Sequence, residues 1–326
     1  MPEHGGRLLA AAAHYGIPAD DWVDLSTGIS PWAREPDPPP TAVWQRLPEE
    51  GDGLADVAAA YYGTNAVLAT PGSQAALQTL PRLRPAGAVA VTAGSYFEHQ
   101  AAWEAAGHRV LSVGDSALAD AADSCDAVVV VNPDNPTGRR LDPAILHELR
   151  RRLARRGGWL VVDEAFMDST PSDSLVTEAG AEGLVVLRSL GKFFGLAGVR
   201  LGFAALPAGL RQTLAERLGP WAVANPARWA GRCALADGDW QHNQRGRLNG
   251  AAERLDALLE SHGLEVTGGT ALFRYCECPE ANEIAEALAG FGVLVRTFDT
   301  PPALRLGLPA TEAAWQQLDK ALQGAG

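Results

Sequence analysis

From about residue 68 to residue 206, short apolar runs alternate with stretches of helical periodicity. The pattern predicts strands at Ala88–Ala93, Arg109–Val113, Ala127–Val131, Trp159–Asp163, Leu184–Arg188 and Leu201–Leu206. Helices are predicted between them, near Ser73–Arg84, Phe97–Gly107, Pro143–Arg156 and Leu210–Leu218. Val128–Val131 is apolar at every position, as a strand buried on both faces should be. Alternating strands and helices of this kind predict an α/β fold with a mainly parallel sheet covered by helices. Such sheets bind ligands at the carboxyl ends of their strands, so the residues just after each apolar run are where chemistry is sought.

After Pro220 the pattern changes. A long helical region to about His262 gives way to strand-like Leu264–Thr267, Leu272–Cys276, Val293–Arg296 and Ala303–Leu306, with helices near Asn282–Ala289 and Thr311–Gln323. The expected organisation is a large domain over residues 30–220 and a smaller α+β domain made from residues 1–29 plus 221–326.

Composition narrows the function. The net charge of -12 argues against nonspecific nucleic-acid binding, which needs a basic surface. No apolar run reaches the roughly 18 residues of a membrane span. The amino terminus has no basic region followed by an apolar core, and the expected location is the cytoplasm. The cysteines, Cys125, Cys233, Cys276 and Cys278, have no CxxC pair and are read as reduced thiols, with no metal site expected.

Lysine changes the picture most. It occurs only twice, at Lys192 and Lys320, in a chain that otherwise uses arginine for positive charge. Lys320 falls in the last, solvent-type helix. Lys192 lies between apolar segments, where a guanidinium, always protonated, could not do the covalent chemistry of a primary amine.

Other candidates cluster after the predicted strands. Asp163 ends an apolar strand; a carboxylate there caps a helix, pairs with a cation, or keeps a heterocyclic nitrogen protonated, as the pyridine of pyridoxal phosphate requires. Ser189 and Lys192, three residues apart, share a face if the segment turns helically, and supply a hydroxyl for a phosphate and an amine for an aldehyde. Arg200, framed by Gly198 and Gly202, suits close approach to an anion or a surface ion pair. Asn135, in Asn132-Pro133-Asp134-Asn135-Pro136-Thr137-Gly138, follows the most apolar strand, in what is either a plain turn or a ligand contact. Ser73 stands where a helix start would attract phosphate.

In their order, Asn135-Pro136-Thr137-Gly138, Asp163-Glu164-Ala165, Ser189-x-x-Lys192 and Gly198-x-Arg200-x-Gly202 resemble the fold type I pyridoxal-phosphate enzymes of the aspartate-aminotransferase superfamily. The resemblance implies a homodimer in which Lys192 holds the cofactor and shuttles protons. Asp163 would pair with the pyridine nitrogen, Asn135 with the ring hydroxyl, and Tyr96 would stack on the ring. Ser73, Gln74, Ser189 and Arg200 would hold the cofactor phosphate, and Arg305 the substrate carboxylate.

Two branches are most similar, the threonine-phosphate decarboxylases and the histidinol-phosphate aminotransferases. The first is favoured by His4-Gly5-Gly6 and by Val23-Asp24-Leu25-Ser26-Thr27-Gly28-Ile29-Ser30-Pro31, which look like that branch's amino-terminal arm and the segment after it. By this resemblance His4, Gly5, Gly6 and Gly28 join Arg305 in binding a small phosphorylated amino acid. Phe166 stands where the other branch usually carries Tyr. Leu47 replaces a Tyr that reaches the partner's cofactor phosphate, Gly191 replaces a common hydroxyl residue, and Thr70-Pro71-Gly72 replaces the usual Gly-Asn-Gly. These departures motivate a third reading, a catalytically silent relative.

Overall fold

A computed structural model describes residues 5–325. The chain divides into two compact units. The larger holds residues 34–135 and 139–241, and of the described residues the smaller holds those up to 33, 136–138 and those from 242 on. The expectation ended the large domain at 220. The larger unit runs on to Gln241 because the helix Asn225–Ala236 packs along the helix Leu54–Tyr62.

Among the described residues, thirteen strands follow in chain order. They are β1 (Val23–Asp24), β2 (Val67–Thr70), β3 (Ala88–Thr92), β4 (Arg109–Val113), β5 (Ala127–Val131), β6 (Trp159–Asp163), β7 (Leu184–Ser189) and β8 (Gly202–Ala205). Then come β9 (Gly268–Thr270), β10 (Phe273–Glu277), β11 (Val293–Leu294), β12 (Arg296–Asp299) and β13 (Pro302–Gly307).

The larger unit is built on a seven-stranded sheet in the order β2-β8-β7-β6-β5-β3-β4. Strands β3 to β7 pair in parallel, while β8 lies antiparallel to both of its neighbours. Every residue of β5 is buried, as its unbroken apolar run requires.

Alternation then decides what each strand end presents. Val129, Val161, Val185 and Leu187 belong to one apolar core with Ala76 and Leu77 of the helix Ser73–Thr79 and Ala102 and Trp103 of the helix Phe97–Ala105. Two residues on from Val161 is Asp163, and two on from Leu187 is Ser189. Both therefore leave the sheet on the face those helices cover. Glu164 and Arg188 leave on the other.

In the smaller unit, β9, β10, β12 and β13 form an antiparallel sheet in the order β12-β13-β10-β9, and β1 pairs in parallel with β11. The single expected strand over Val293–Arg296 is two strands, β11 and β12. Leu264–Thr267 is not a strand; pairing begins at Gly268. The expected long helix to His262 is also two, Asn225–Ala236 and Gly238–Ser261.

Candidate active site

The larger unit gathers the predicted cofactor residues at the carboxyl edge of its sheet. Asp163, 4 % exposed, ends β6. Its Oδ1 accepts from the Ala165 amide at 3.1 Å, and its Oδ2 lies 2.9 Å from Nε2 of buried His99. His99 sits one helical turn beyond Tyr96, whose ring meets its edge with centroids 6.2 Å apart. The sequence reading gave His99 no role, although its spacing from Tyr96 was a readable signal.

Lys192 lies in the loop after β7. The chain turns between Ser189 and Lys192 and turns again beyond the lysine, where the Gly195 amide donates to the Lys192 carbonyl at 3.2 Å. Its path is also fixed by Leu190, whose amide donates to Leu201 and whose carbonyl accepts from Leu196. Nζ of Lys192 stands 5.3 Å above the centroid of the Phe166 ring.

Around the helix Ser73–Thr79 the backbone is drawn in tightly. A Cβ at Gly202 would come within 2.4 Å of the Ser73 nitrogen. Gly72, with φ of 74°, lets the Arg200 guanidinium so close that a Cβ there would be 2.9 Å from Nη2. Arg200 itself takes a left-handed conformation, φ 57°, and donates to the Ala197 carbonyl at 3.1 Å. Ser73, Arg200 and the strand end bearing Ser189 thus converge through two glycines. The Gln74 side chain is committed elsewhere. Its amide nitrogen donates to Glu98 at 2.8 Å, and its oxygen lies 3.4 Å from the Tyr96 hydroxyl.

Asn135 follows β5 in a loop held by the Asp134 amide, which donates to Arg139, and by Ser95, which donates to the Asp134 carboxylate. Ser95 precedes Tyr96, so the loops carrying Tyr96 and Asn135 are tied by their neighbouring residues.

Within the smaller unit a second group comes together. His4 lies outside the described residues. The Gly6 amide donates to Ser26 Oγ at 2.7 Å, and Ser26 Oγ donates to Asp24 Oδ1 at 2.6 Å. Arg305, 7 % exposed, donates through Nη2 to the Ser26 carbonyl at 2.9 Å. A Cβ at Gly5 would strike that same carbonyl oxygen, at 2.3 Å. The amino-terminal arm, the segment containing buried Gly28, and Arg305 are therefore one cluster. Arg296 stands directly across the β12–β13 ladder from Arg305, and the sequence reading missed it.

The donor set fits pyridoxal phosphate. An anion is served by a helix start, two hydroxyls and a guanidinium, an aldehyde by the Lys192 amine, and a pyridine nitrogen by a buried carboxylate. The tight approach at Gly72 and Gly202 makes a cradle that any side chain would fill.

The model of the aminotransferase class I and II family matches residues 46–323. The chain belongs to that family. It is 52 % identical to a threonine-phosphate decarboxylase of Pseudomonas aeruginosa over 324 residues, covering 99 % of this chain and 98 % of that protein. It is 44 % identical to a threonine-phosphate decarboxylase of a Sinorhizobium species, covering 98 % and 97 %. Among solved structures, the histidinol-phosphate aminotransferase from Sinorhizobium meliloti in complex with pyridoxal-5'-phosphate superimposes with a TM-score of 0.84. At 22 % identity, over 100 % of this chain and 95 % of that one, the likeness is one of fold.

Proposed function

We propose that this chain is a pyridoxal-phosphate-dependent lyase that decarboxylates L-threonine O-3-phosphate to (R)-1-amino-2-propanol O-2-phosphate, the aminopropanol linker precursor of cobalamin. The observation that carries it is the 52 % identity to a threonine-phosphate decarboxylase along the whole chain. Likeness to histidinol-phosphate aminotransferase at 22 % identity supports the architecture and leaves that activity without comparable support.

What the bound cofactor supplies is an electron sink for the pair left when carbon dioxide departs. This chain's residues do the rest. Lys192 holds the aldehyde carbon and afterwards carries a proton to the substrate's Cα. Asp163, steadied by His99, keeps the ring nitrogen protonated. Ser73, Ser189 and Arg200 bind the cofactor phosphate, with Gln74 beside them, while Asn135 meets the ring hydroxyl and Tyr96 the ring face. Arg305 grips the substrate carboxylate, and Gly5, Gly6, Gly28 and His4 serve the substrate phosphate, with Arg296 as a second cation. Retention of both the amine and the buried carboxylate argues against a silent relative.

The enzyme works as a homodimer in the cytoplasm. Trp44, 66 % exposed, and Leu47, 61 % exposed, support an interface near the position where relatives reach across. No helix among the described residues is long and apolar enough to cross a membrane.

The deciding experiment offers purified protein threonine phosphate and histidinol phosphate side by side. Carbon dioxide and aminopropanol phosphate from the first, without a 2-oxo acid acceptor, are the expected result. Turnover only with such an acceptor would reassign the chain as an aminotransferase.

A further inference from the structure

Beneath the sheet edge, on the face away from the cofactor residues, lies a cluster that the proposed chemistry does not use. Arg188, Glu164 and Asp168 are 1 %, 0 % and 0 % exposed. Nη1 of Arg188 donates to Glu164 Oε2 at 2.7 Å and to Ser174 Oγ at 2.9 Å, and Nη2 donates to Asp168 Oδ1. Glu164 also accepts from the Leu175 amide at 2.8 Å and from the Ser174 hydroxyl. Tyr61 donates to Asp168 Oδ1 at 2.9 Å, and the guanidinium stands 5.1 Å from the centroid of the Tyr62 ring.

Burying two carboxylates and a guanidinium is costly, and apolar residues of similar volume often stabilise a core as well or better. A network of this kind is better explained by what it orients. Two members adjoin cofactor residues, and others reach the lysine loop through an aromatic ring. Glu164 follows Asp163, and Arg188 precedes Ser189. The turn from Glu164 to Asp168 carries Phe166, whose ring faces Lys192 Nζ. Tyr61 meets Phe194, two residues after Lys192, edge to face at 5.8 Å. The ladder supports the same geometry, because the Glu164 amide donates to Leu187 at 2.9 Å, one rung beyond the end of β6.

We propose that Arg188 is a positioning residue for the cofactor site, clamping the ends of β6 and β7 from behind so that Asp163, Ser189 and Lys192 keep a fixed separation. The clamp has three arms. Glu164 fixes the carboxylate that meets the ring nitrogen, the chain itself fixes the hydroxyl at the phosphate, and Asp168 with Tyr61 fixes the lysine loop. Arginine is required because a planar fork can donate to two carboxylates at once, which a single ammonium cannot do in the same geometry. Burial pushes the Glu164 carboxyl up, against the pull of Arg188, so removing the guanidinium would leave that group without its counter-charge.

The proposal rests on the reading of Asp163, Ser189 and Lys192 as cofactor residues. The full-length chain is compared with Arg188→Lys, which keeps the charge and loses the fork, and with Tyr61→Phe, which removes one hydrogen bond and no charge. Three quantities are read: the thermal midpoint of the cofactor-free protein, its affinity for added pyridoxal phosphate, and the absorption band of the bound cofactor. Arg188→Lys is expected to weaken cofactor binding about tenfold or more and to displace the band, and Tyr61→Phe to weaken binding about two- to fivefold with an unchanged midpoint. Wild-type affinity and an undisplaced band in both variants would overturn the clamp, as would losses that merely follow the midpoint. If Arg188→Lys does not fold, Tyr61→Phe decides alone. Failure of the unaltered protein to bind the cofactor at all would instead sink the underlying reading.

Discussion

Nε2 of His99 lies 2.9 Å from Oδ2 of Asp163, and both side chains are buried. The pair joins the helix after Tyr96 to the end of β6, so one contact orients a carboxylate and braces the helix that follows Tyr96. On the proposed reading, Asp163→Asn removes the charge that would face the ring nitrogen and should lower turnover about a hundredfold or more. His99→Leu leaves the charge but loosens it, and a smaller loss, about tenfold, is expected. Steady-state carbon dioxide release checks both.

Gly202→Ala would place a methyl 2.4 Å from the Ser73 nitrogen and 2.7 Å from the Arg188 carbonyl oxygen. Both obstacles are backbone, so β8 must shift. A destabilisation of about 1–3 kcal/mol is expected, with weaker cofactor binding. Gly209→Ala is the matched control, since nothing lies within 4 Å of a Cβ there. Thermal melts with and without cofactor separate the two.

Arg305→Lys keeps a positive charge but loses the fork, one arm of which donates to the Ser26 carbonyl and the rest of which is proposed to hold the substrate carboxylate. KM for threonine phosphate should rise about tenfold or more, while the affinity for pyridoxal phosphate stays near its original value. Substrate saturation curves and cofactor titration test the two halves of that statement.

A pH effect on stability follows from Asp52, which takes two hydrogen bonds from Arg228, at 2.7 and 2.9 Å. Burial works to raise the Asp52 carboxyl, but Arg228 and the Leu54 amide outweigh it and hold the group below its ordinary value. A depressed carboxyl binds its proton less readily folded than unfolded. Its stabilising contribution is therefore complete above the unfolded value, about 3.9, and is lost as pH falls through the lower folded one. Arg228→Met should flatten the acid limb of the midpoint-versus-pH curve, as measured by thermal denaturation.

Much of this was legible in the residues themselves. The alternation located β4, β5 and β6 to the residue; β5 and β6 are buried almost throughout and have no polar position inside them to blur their limits, while β4, at the sheet edge, keeps Arg109 and Ser112 exposed. β2 escaped notice. Val67–Thr70 is short, and it owes its place to pairing with β8, which is distant in sequence. The direction of β8 was equally invisible, since periodicity carries no sign of parallel or antiparallel pairing. Arg296 was within reach. The turn at Thr300-Pro301 joins Asp299 directly to Pro302, and counting back from it sets Arg296 opposite Arg305. The Arg188 clamp was not readable, because its partners Tyr61 and Asp168 are brought to it only by tertiary folding.

The position of β8, inserted between β2 and β7, has a consequence for biosynthesis. The helix start at Ser73 emerges from the ribosome long before the residues that seat it. Without Gly202–Ala205 between β2 and β7, Ser73 and Ser189 lose the strand that sets them side by side. A chain ending before Gly202 would retain Lys192 and lack the strand that sets Ser73 beside Ser189.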